Sequence, residues 1–395
     1  MEKLNIVVLN SHPIQYFAPL YRQMAEEETI QLKVYYCSKH GFNGEIDQQF
    51  KTGIQWDIPL LDGYDYEFLP NMALKPSIYS FWGLLNFSVL QKLRKLPKGI
   101  VLVHGWAYAI NWLTIVIGCI LGHTICLRAE SPLNLERIKN RALLWIRKVL
   151  LKQCLFRFVH HFLYIGSQNR AFYEWYGVPA DKLIFTPYAV DNQRFLRQYT
   201  ELSRNTVILK EQLGLPTSKR IILYSGKYVQ KKRPLDLLRA FKALNRSDVA
   251  LVLMGEGELR PVMEQYIRVH QLTDVFLTGF VNQSKVAEYY AVADLYVMCS
   301  DERETWGLST NEAMNFALPL VLSSQVGCAD DLLSEAENGF SYSCGDIAEL
   351  TNTLQQFLYL STEKIREMGM CSQLKIQTYS YEVIIQKLKE KLLPC

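Results

Sequence analysis

"RIILYSGKYVQKKRPLDLLRAFKAL", residues 220–244, passes from a β-branched apolar run through a basic loop into a helical pattern. The strand "IILYSG" delivers Gly226 and Lys227 to a loop that also carries Lys231, Lys232 and Arg233 and opens the helix. Open α/β sheets bind ligands beyond the carboxyl ends of their strands, and a helix N-terminus favours anions. Lys227 and Lys232 are thereby placed to neutralise a diphosphate. In isolation the same loop also reads as a solvated basic turn.

Strand-like and helical stretches alternate outward from this unit in both directions. Before it come "LNIVVLN", "LKVYYCS", "GIVLVHG", "HTICLRAE", "HHFLYIGS" and "KLIFTPY"; after it come "VALVLMGEG", "DVFLTGF", "LYVMCS" and "PLVLSS". Such alternation predicts parallel sheets covered by helices, an α/β class. The pattern restarts after the polar stretch 191–220, and 395 residues exceed what one core usually organises, so two doubly wound domains are expected. The expected boundaries are 1–197, a linker at 198–216, 217–375, and a final helix at 376–395.

The composition, 49% hydrophobic and 21% charged, is that of an ordinary globular chain. A net charge of +4 is too small to imply nucleic acid as a partner. Nine scattered cysteines, an odd number without a CxxC pair, read as reduced thiols of a cytosolic protein. The seven histidines show no metal-ligand spacing, so no metal is expected. The start "MEKLNIVVLNSHP" lacks a long apolar region, which predicts no signal peptide and a cytoplasmic location. The stretch 110–127, "INWLTIVIGCILGHTICL", is interrupted by Asn111 and His123 and reads as a core helix followed by a strand.

Two further features follow in the second half. "LVLMGEGELRPVME" brings Gly255 and Gly257 to a strand end, where missing side chains permit close backbone approach; no GxGxxG fingerprint accompanies them, which disfavours a NAD-dependent dehydrogenase. "SDERETWGLSTNEAMNFALPLVLSS", residues 300–324, sets Glu304 in a loop and Glu312 in the first turns of a helix expected over 308–317. Carboxylates accept hydrogen bonds from hydroxyls without competing with a phosphate for cations, so the pair suits a ribose and a sugar. The plainer alternative leaves Glu304 solvated and Glu312 favouring a helix N-terminus.

Taken together, "SGKYVQKKRPLDLLRAF", "MGEGELRPVME", "GFVNQSKVAEYYAVADLYVMCS" and "ETWGLSTNEAMNFALPLVLSS" resemble the donor half of retaining GT-B glycosyltransferases of family 4, including an E-x7-E motif at Glu304 and Glu312. The resemblance implies two Rossmann-like domains facing a central cleft, the first for the acceptor and the second for a nucleotide sugar, with the last helix crossing back to the first. It implies that Lys227 and Lys232 hold the diphosphate, that Glu312 binds ribose, and that Glu304 contacts the transferred sugar. The backbone at Phe280 and Val281 would meet the base, and the amides of Gly307 and Leu308 would approach the phosphate or sugar. No metal cofactor is implied, since cationic side chains supply the charge. Thr305, Trp306 and Asn311, together with "VGCADDLL", depart from the family's spelling beside the expected sugar pocket.

In the first half, Ser11, His12, Gln15 and Tyr16 follow the first strand and read as acceptor or phosphate contacts, against the alternative that His12 caps a helix and Tyr16 is core. His104 ends another strand and resembles the histidine that faces the donor sugar in related enzymes. Arg128 and Glu130 end a third, Arg128 as an acceptor contact and Glu130 as a candidate to position the acceptor hydroxyl or act as base. Residues 136–162 interleave seven cations with Leu, Ile, Trp and Phe and read as a basic amphipathic helix for the inner membrane face; residues 77–96 are a second such candidate. A lipid-linked or glycan acceptor fits that reading. The expected activity is retaining transfer of a sugar from a nucleotide diphosphate, UDP before GDP, by a front-side path in which the departing phosphate takes the acceptor proton. Two alternatives remain: an epimerase of the same fold, which would form product without acceptor, and an inactive nucleotide-sugar-binding subunit, which would not hydrolyse donor.

Overall fold

The computed structural model describes residues 3–41, 46–47, 52–53 and 56–393. Contacts divide the chain into two compact units, residues 1–45, 54–188 and 381–395 in one and 46–53 and 189–380 in the other.

The sheet of the first unit contains β1 (Leu4–Asn10), β2 (Ile30–Tyr36), β3 (Tyr66–Phe68), β4 (Ile100–His104), β5 (Thr124–Arg128), β6 (His161–Tyr164) and β7 (Leu183–Phe185). All are parallel, in the order β3-β2-β1-β4-β5-β6-β7. Strands of this kind are covered by helices on both faces, which is why their runs are continuously apolar: Ile6, Val7, Val8 and Leu9 are all buried. The order reverses between β1 and β4, and the carboxyl ends of those two strands border a topological switch point. The helix Ala109–Ile120 leads into β5, as residues 110–127 predicted. The last helix, Tyr381–Leu392, belongs to this unit; the Tyr381 hydroxyl donates to the Tyr16 carbonyl at 2.8 Å and Lys389 pairs with Glu27 at 2.6 Å.

The second unit repeats the plan with β8 (Arg220–Ser225), β9 (Val249–Met254), β10 (Val275–Gly279), β11 (Leu295–Met298), β12 (Leu320–Ser323) and β13 (Gly339–Tyr342). Their order is β10-β9-β8-β11-β12-β13, again all parallel, with the switch between β8 and β11. Buried Leu237, Leu238 and Phe241 of the helix Pro234–Leu244 pack on this sheet with Leu251 and Val297. Pro234 sits in the first helical turn, where its missing N–H costs nothing.

Three expectations change. The first unit ends at Tyr188 rather than 197, and the stretch read as a linker carries helices Asn192–Leu202 and Thr206–Gln212 inside the second unit. Residues 376–380 stay with the second unit. Residues 136–162 are not one amphipathic helix: Leu133–Arg137 stops, Asn140 caps Arg141–Lys148 by accepting from the Leu143 N–H at 2.8 Å, and a π-helical stretch, Val149–Leu155, follows. Across the break, Glu136 is buried and bound at once by Lys139 at 2.9 Å, by Arg147 at 2.9 Å and by the Tyr176 hydroxyl at 2.6 Å. Among the described residues no helix is long and apolar enough to cross a membrane.

Candidate functional site

At the switch point of the second unit, the loop after β8 meets the loop after β11. Lys232 lies at the end of a short 3-10 turn, Gln230–Lys232, and Arg233 takes a left-handed conformation that turns the chain into the next helix. The Lys232 ammonium is 2.6 Å from Glu304 Oε2, and Lys231 is 3.7 Å from the same oxygen. Both members of the shorter pair are largely enclosed, with side chains 14% and 12% exposed. Burial alone would raise the Glu304 pKa, but Lys232 and then Lys231 hold the carboxyl below its usual range. Glu304 is therefore not a solvated loop residue: it is an ionised carboxylate fixed on the cation expected to meet a diphosphate.

Glu312 lies in a different network. Its helix is Leu308–Asn315, opened by Gly307 at φ 99°. The carboxylate is buried, accepting from the Tyr290 hydroxyl at 2.8 Å and the Gln283 amide at 3.3 Å, and Gln283 accepts from Arg194 at 2.7 Å. Sequence reasoning missed Arg194, Gln283 and Tyr290, because an Arg, a Gln and a Tyr dispersed over three segments carry no spacing signal.

Gly255 and Gly257 serve the protein's own backbone. A Cβ on Gly255 would stand 1.9 Å from the Gly226 carbonyl oxygen, and one on Gly257 2.6 Å from that of Tyr228. The Gly226 N–H donates to Met254 and the Tyr228 N–H to Glu256, both at 2.9 Å, so the glycine turn seats the basic loop. Lys227 is half-buried in that loop, and Phe280 and Val281 are half-buried just beyond β10. Trp306 is turned into the core rather than towards a sugar, its indole N–H donating to Asn311 Oδ1 at 2.9 Å. A buried tryptophan needs an acceptor for its indole N–H, and Asn311 supplies it.

In the first unit, a cavity of about 260 Å³ opens at the ends of β1, β4 and β5, lined by Ser11, His104, Arg128 and Glu130 together with Asn10, Phe17 and Trp106. His104 and Arg128 are register partners on adjacent strands, which is why they stand side by side. His104 Nε2 is hydrogen-bonded to the Tyr21 hydroxyl at 3.1 Å, and that hydroxyl accepts from Asn10 at 3.1 Å. Burial, reinforced by Arg128, pushes the His104 pKa down to about 3, so the imidazole is neutral. His12 is hydrogen-bonded to Ser11 at 2.9 Å and is also held neutral, near 4, by burial and then by His40. It caps no helix: the helix Ala18–Glu26 begins at Phe17 without a side-chain cap. His12, Gln15 and Tyr16 do not line the cavity. Tyr16 is half-buried rather than core, and Gln15 Oε1 is buried without a hydrogen-bond partner. No group of three His, Cys, Asp or Glu among the described residues could hold a metal ion.

Comparison with known proteins agrees with this architecture. Residues 206–370 match the family described as glycosyl transferases group 1. N-acetyl-alpha-D-glucosaminyl L-malate synthase of Bacillus anthracis is 28% identical over 177 residues, which cover 44% of this chain and 45% of that protein. Alpha-monoglucosyldiacylglycerol synthase of Acholeplasma laidlawii is 26% identical over 144 residues, 36% of either chain. The chain thus spans less than half the length of these relatives. Among solved structures, Anabaena Alr3699/HepE with UDP and glucose superimposes with a TM-score of 0.71 at 17% identity, over 99% of this chain and 100% of that one. A glycosyltransferase from Rickettsia africae does so with a TM-score of 0.74 at 13% identity, over 100% of both. The architecture is therefore GT-B, and residues 206–370 are similar to the group 1 glycosyl transferases.

Proposed function

We propose that the chain is a retaining glycosyltransferase that moves a sugar from a nucleotide-diphosphate sugar, with UDP the favoured nucleotide, to a hydroxyl of a glycan or lipid-linked acceptor. The observation that carries this reading is the enclosed Lys232–Glu304 pair at the switch point of the group 1 unit. A diphosphate brings more negative charge than one carboxylate and takes over the Lys232 ammonium. Glu304 is then released to accept hydrogen bonds from the sugar hydroxyls. Lys227, Lys231 and Lys232 supply the positive charge on the leaving diphosphate, so the reaction needs no resident metal. The protein's main work is placement and charge stabilisation. Support also comes from the Anabaena structure, which is described with UDP and glucose.

Thermal unfolding with UDP, GDP, ADP and CDP in metal-free buffer tests the reading, because a ligand of the native state raises its apparent stability. A shift selective for one nucleotide and lost in Lys232→Ala is expected; no shift with any of them overturns it.

A peripheral position on an anionic membrane face completes the proposal. Around Arg141–Lys148 the exposed apolar side chains include Ile138, Leu143, Trp145 at 69%, Ile146, Val149 and Leu150, beside exposed Arg137, Arg141, Lys148 and Lys152. Apolar groups framed by cations suit an anionic lipid surface. Co-sedimentation should show binding to vesicles with phosphatidylglycerol, weakened severalfold by Trp145→Ser and absent with phosphatidylcholine alone; equal binding by wild type and variant refutes it.

A further inference from the structure

Three side chains from separate elements of the first unit are joined in one chain of hydrogen bonds: Asn10 at the end of β1, Tyr21 on the helix Ala18–Glu26 and His104 at the end of β4. A backbone amide starts the chain, and it can only donate. The Ser11 N–H is given to Asn10 Oδ1 at 2.8 Å, which identifies that atom as the carbonyl oxygen and the other as the amide nitrogen. Asn10 Nδ2 therefore donates to the Tyr21 oxygen at 3.1 Å. Burial pushes the Tyr21 pKa well up, so the oxygen keeps its own proton. Among the described residues that proton has one acceptor, His104 Nε2 at 3.1 Å.

The accepting nitrogen of a neutral imidazole carries no hydrogen, so the ring proton belongs on Nδ1. The opposite tautomer would aim an Nε2–H at the same oxygen and leave the buried Tyr21 O–H without an acceptor, which disfavours it on the order of tenfold or more. Ring packing holds the three groups in place. The Phe17 ring lies 4.6 Å from that of His104 and 6.1 Å from that of Tyr21, and the Tyr64 ring meets Tyr21 edge-on at 5.6 Å. His104 is half-buried and lines the cavity, whereas Tyr21 does not. Its Nδ1 has no hydrogen-bond partner among the described residues.

We propose that Tyr21, set by Asn10, is a positioning residue that fixes His104 as the Nδ1–H tautomer, so that the ring offers a ligand oxygen a hydrogen-bond donor and no basic nitrogen. His104 then holds its proton throughout the reaction and takes none from a substrate. The tautomer rests on the hydrogen bonds alone; that the oxygen belongs to a sugar rests on the transferase reading.

Two-bond nitrogen–proton correlation spectra of the full chain, labelled with nitrogen-15 histidine and recorded near neutral pH, test it, because the protonated and bare nitrogens of a neutral imidazole resonate far apart. The His104 signals are those that vanish in His104→Asn. They should show Nδ1–H in the wild type and move towards Nε2–H in Tyr21→Phe, which keeps the ring and loses only the hydroxyl. An Nε2–H pattern or an imidazolium in the wild type overturns the proposal, and so does a Tyr21→Phe spectrum with the tautomer unchanged. The wild-type spectrum decides even if the variant misfolds. In hydrolysis of UDP-glucose, His104→Asn, whose amide N–H stands nearest the place of Nδ1–H, should keep about fivefold more kcat than His104→Gln, whose amide nitrogen stands nearer that of Nε2. Equal losses in the two variants would refute the donor role. Failure of the transferase reading would appear separately, as no nucleotide-induced thermal shift and no hydrolysis with the tautomer intact.

Discussion

Replacing Lys232 by Met should separate the two duties of its ammonium. The substitution removes the nearer cation, at 2.6 Å, from a carboxylate whose side chain is 12% exposed, while Lys231 stays at 3.7 Å. Breaking a fully buried pair costs about 3–5 kcal/mol and the median exposed pair contributes about 0–1, so partial enclosure and the surviving lysine put the loss at about 2 kcal/mol. Glu304→Gln, which strands the ammonium instead, should cost a similar amount. The double variant strands neither charge and should lose about 2 kcal/mol less than the sum of the singles. Turnover should behave differently. The charge on the departing diphosphate still lacks its cation in the double variant, so kcat should fall about 10²-fold in Lys232→Met and stay low when Glu304→Gln is added. Denaturant unfolding and sugar-transfer rates on the four proteins complete the cycle. Additive stability changes with near-wild-type kcat in Lys232→Met would refute the reasoning; recovery of kcat in the double variant would reduce Lys232 to a counter-ion.

Gly255→Ala should disrupt the basic loop, because its Cβ would fall 1.9 Å from the Gly226 carbonyl at a φ of 151°; nucleotide binding by calorimetry should be lost, and wild-type affinity would deny that the glycine turn seats the loop. Asn311→Ala strands the buried Trp306 N–H and should cost about 1–3 kcal/mol, whereas adding it to Trp306→Phe should cost clearly less; equal costs in both backgrounds would deny the coupling. His104 binds its proton at about 3 when folded and near 6.5 when unfolded, so the unfolded chain takes up the proton first as pH falls. Stability is full above 6.5 and declines as pH falls below it, on the order of 1 kcal/mol per pH unit from this residue, and His104→Gln should flatten that part of the pH–stability curve. The depressed Glu304 acts lower down: its stabilisation is present above about 4.5 and lost as pH falls through its folded value, an acid limb that Glu304→Gln should remove.

The strands that carry the sites were legible because parallel strands buried on both faces spell themselves as unbroken apolar runs: "LNIVVLN" is β1 residue for residue. The edge strands Tyr66–Phe68 and Gly339–Tyr342 went unread, since three or four residues with Gly, Ser or Glu among them carry no such run. The stretch at 198–216 looked like a linker because its polar residues are one face of two short helices, and only packing reveals which face is inward. Lys232 and Glu304 could be named from their strand-end positions, yet nothing in their separation of 72 positions announces a 2.6 Å ion pair. The sequence by itself determined the element types, the two sheets and the residue types offered at each strand end. The tertiary structure alone decided which carboxylate meets which cation, that a carbonyl leaves no room for a Cβ at Gly255, that Trp306 points inward, and that Arg128 is buried beside His104. Local periodicity follows from backbone geometry and is written residue by residue, whereas pairing and burial depend on the crossing of strands far apart in the chain.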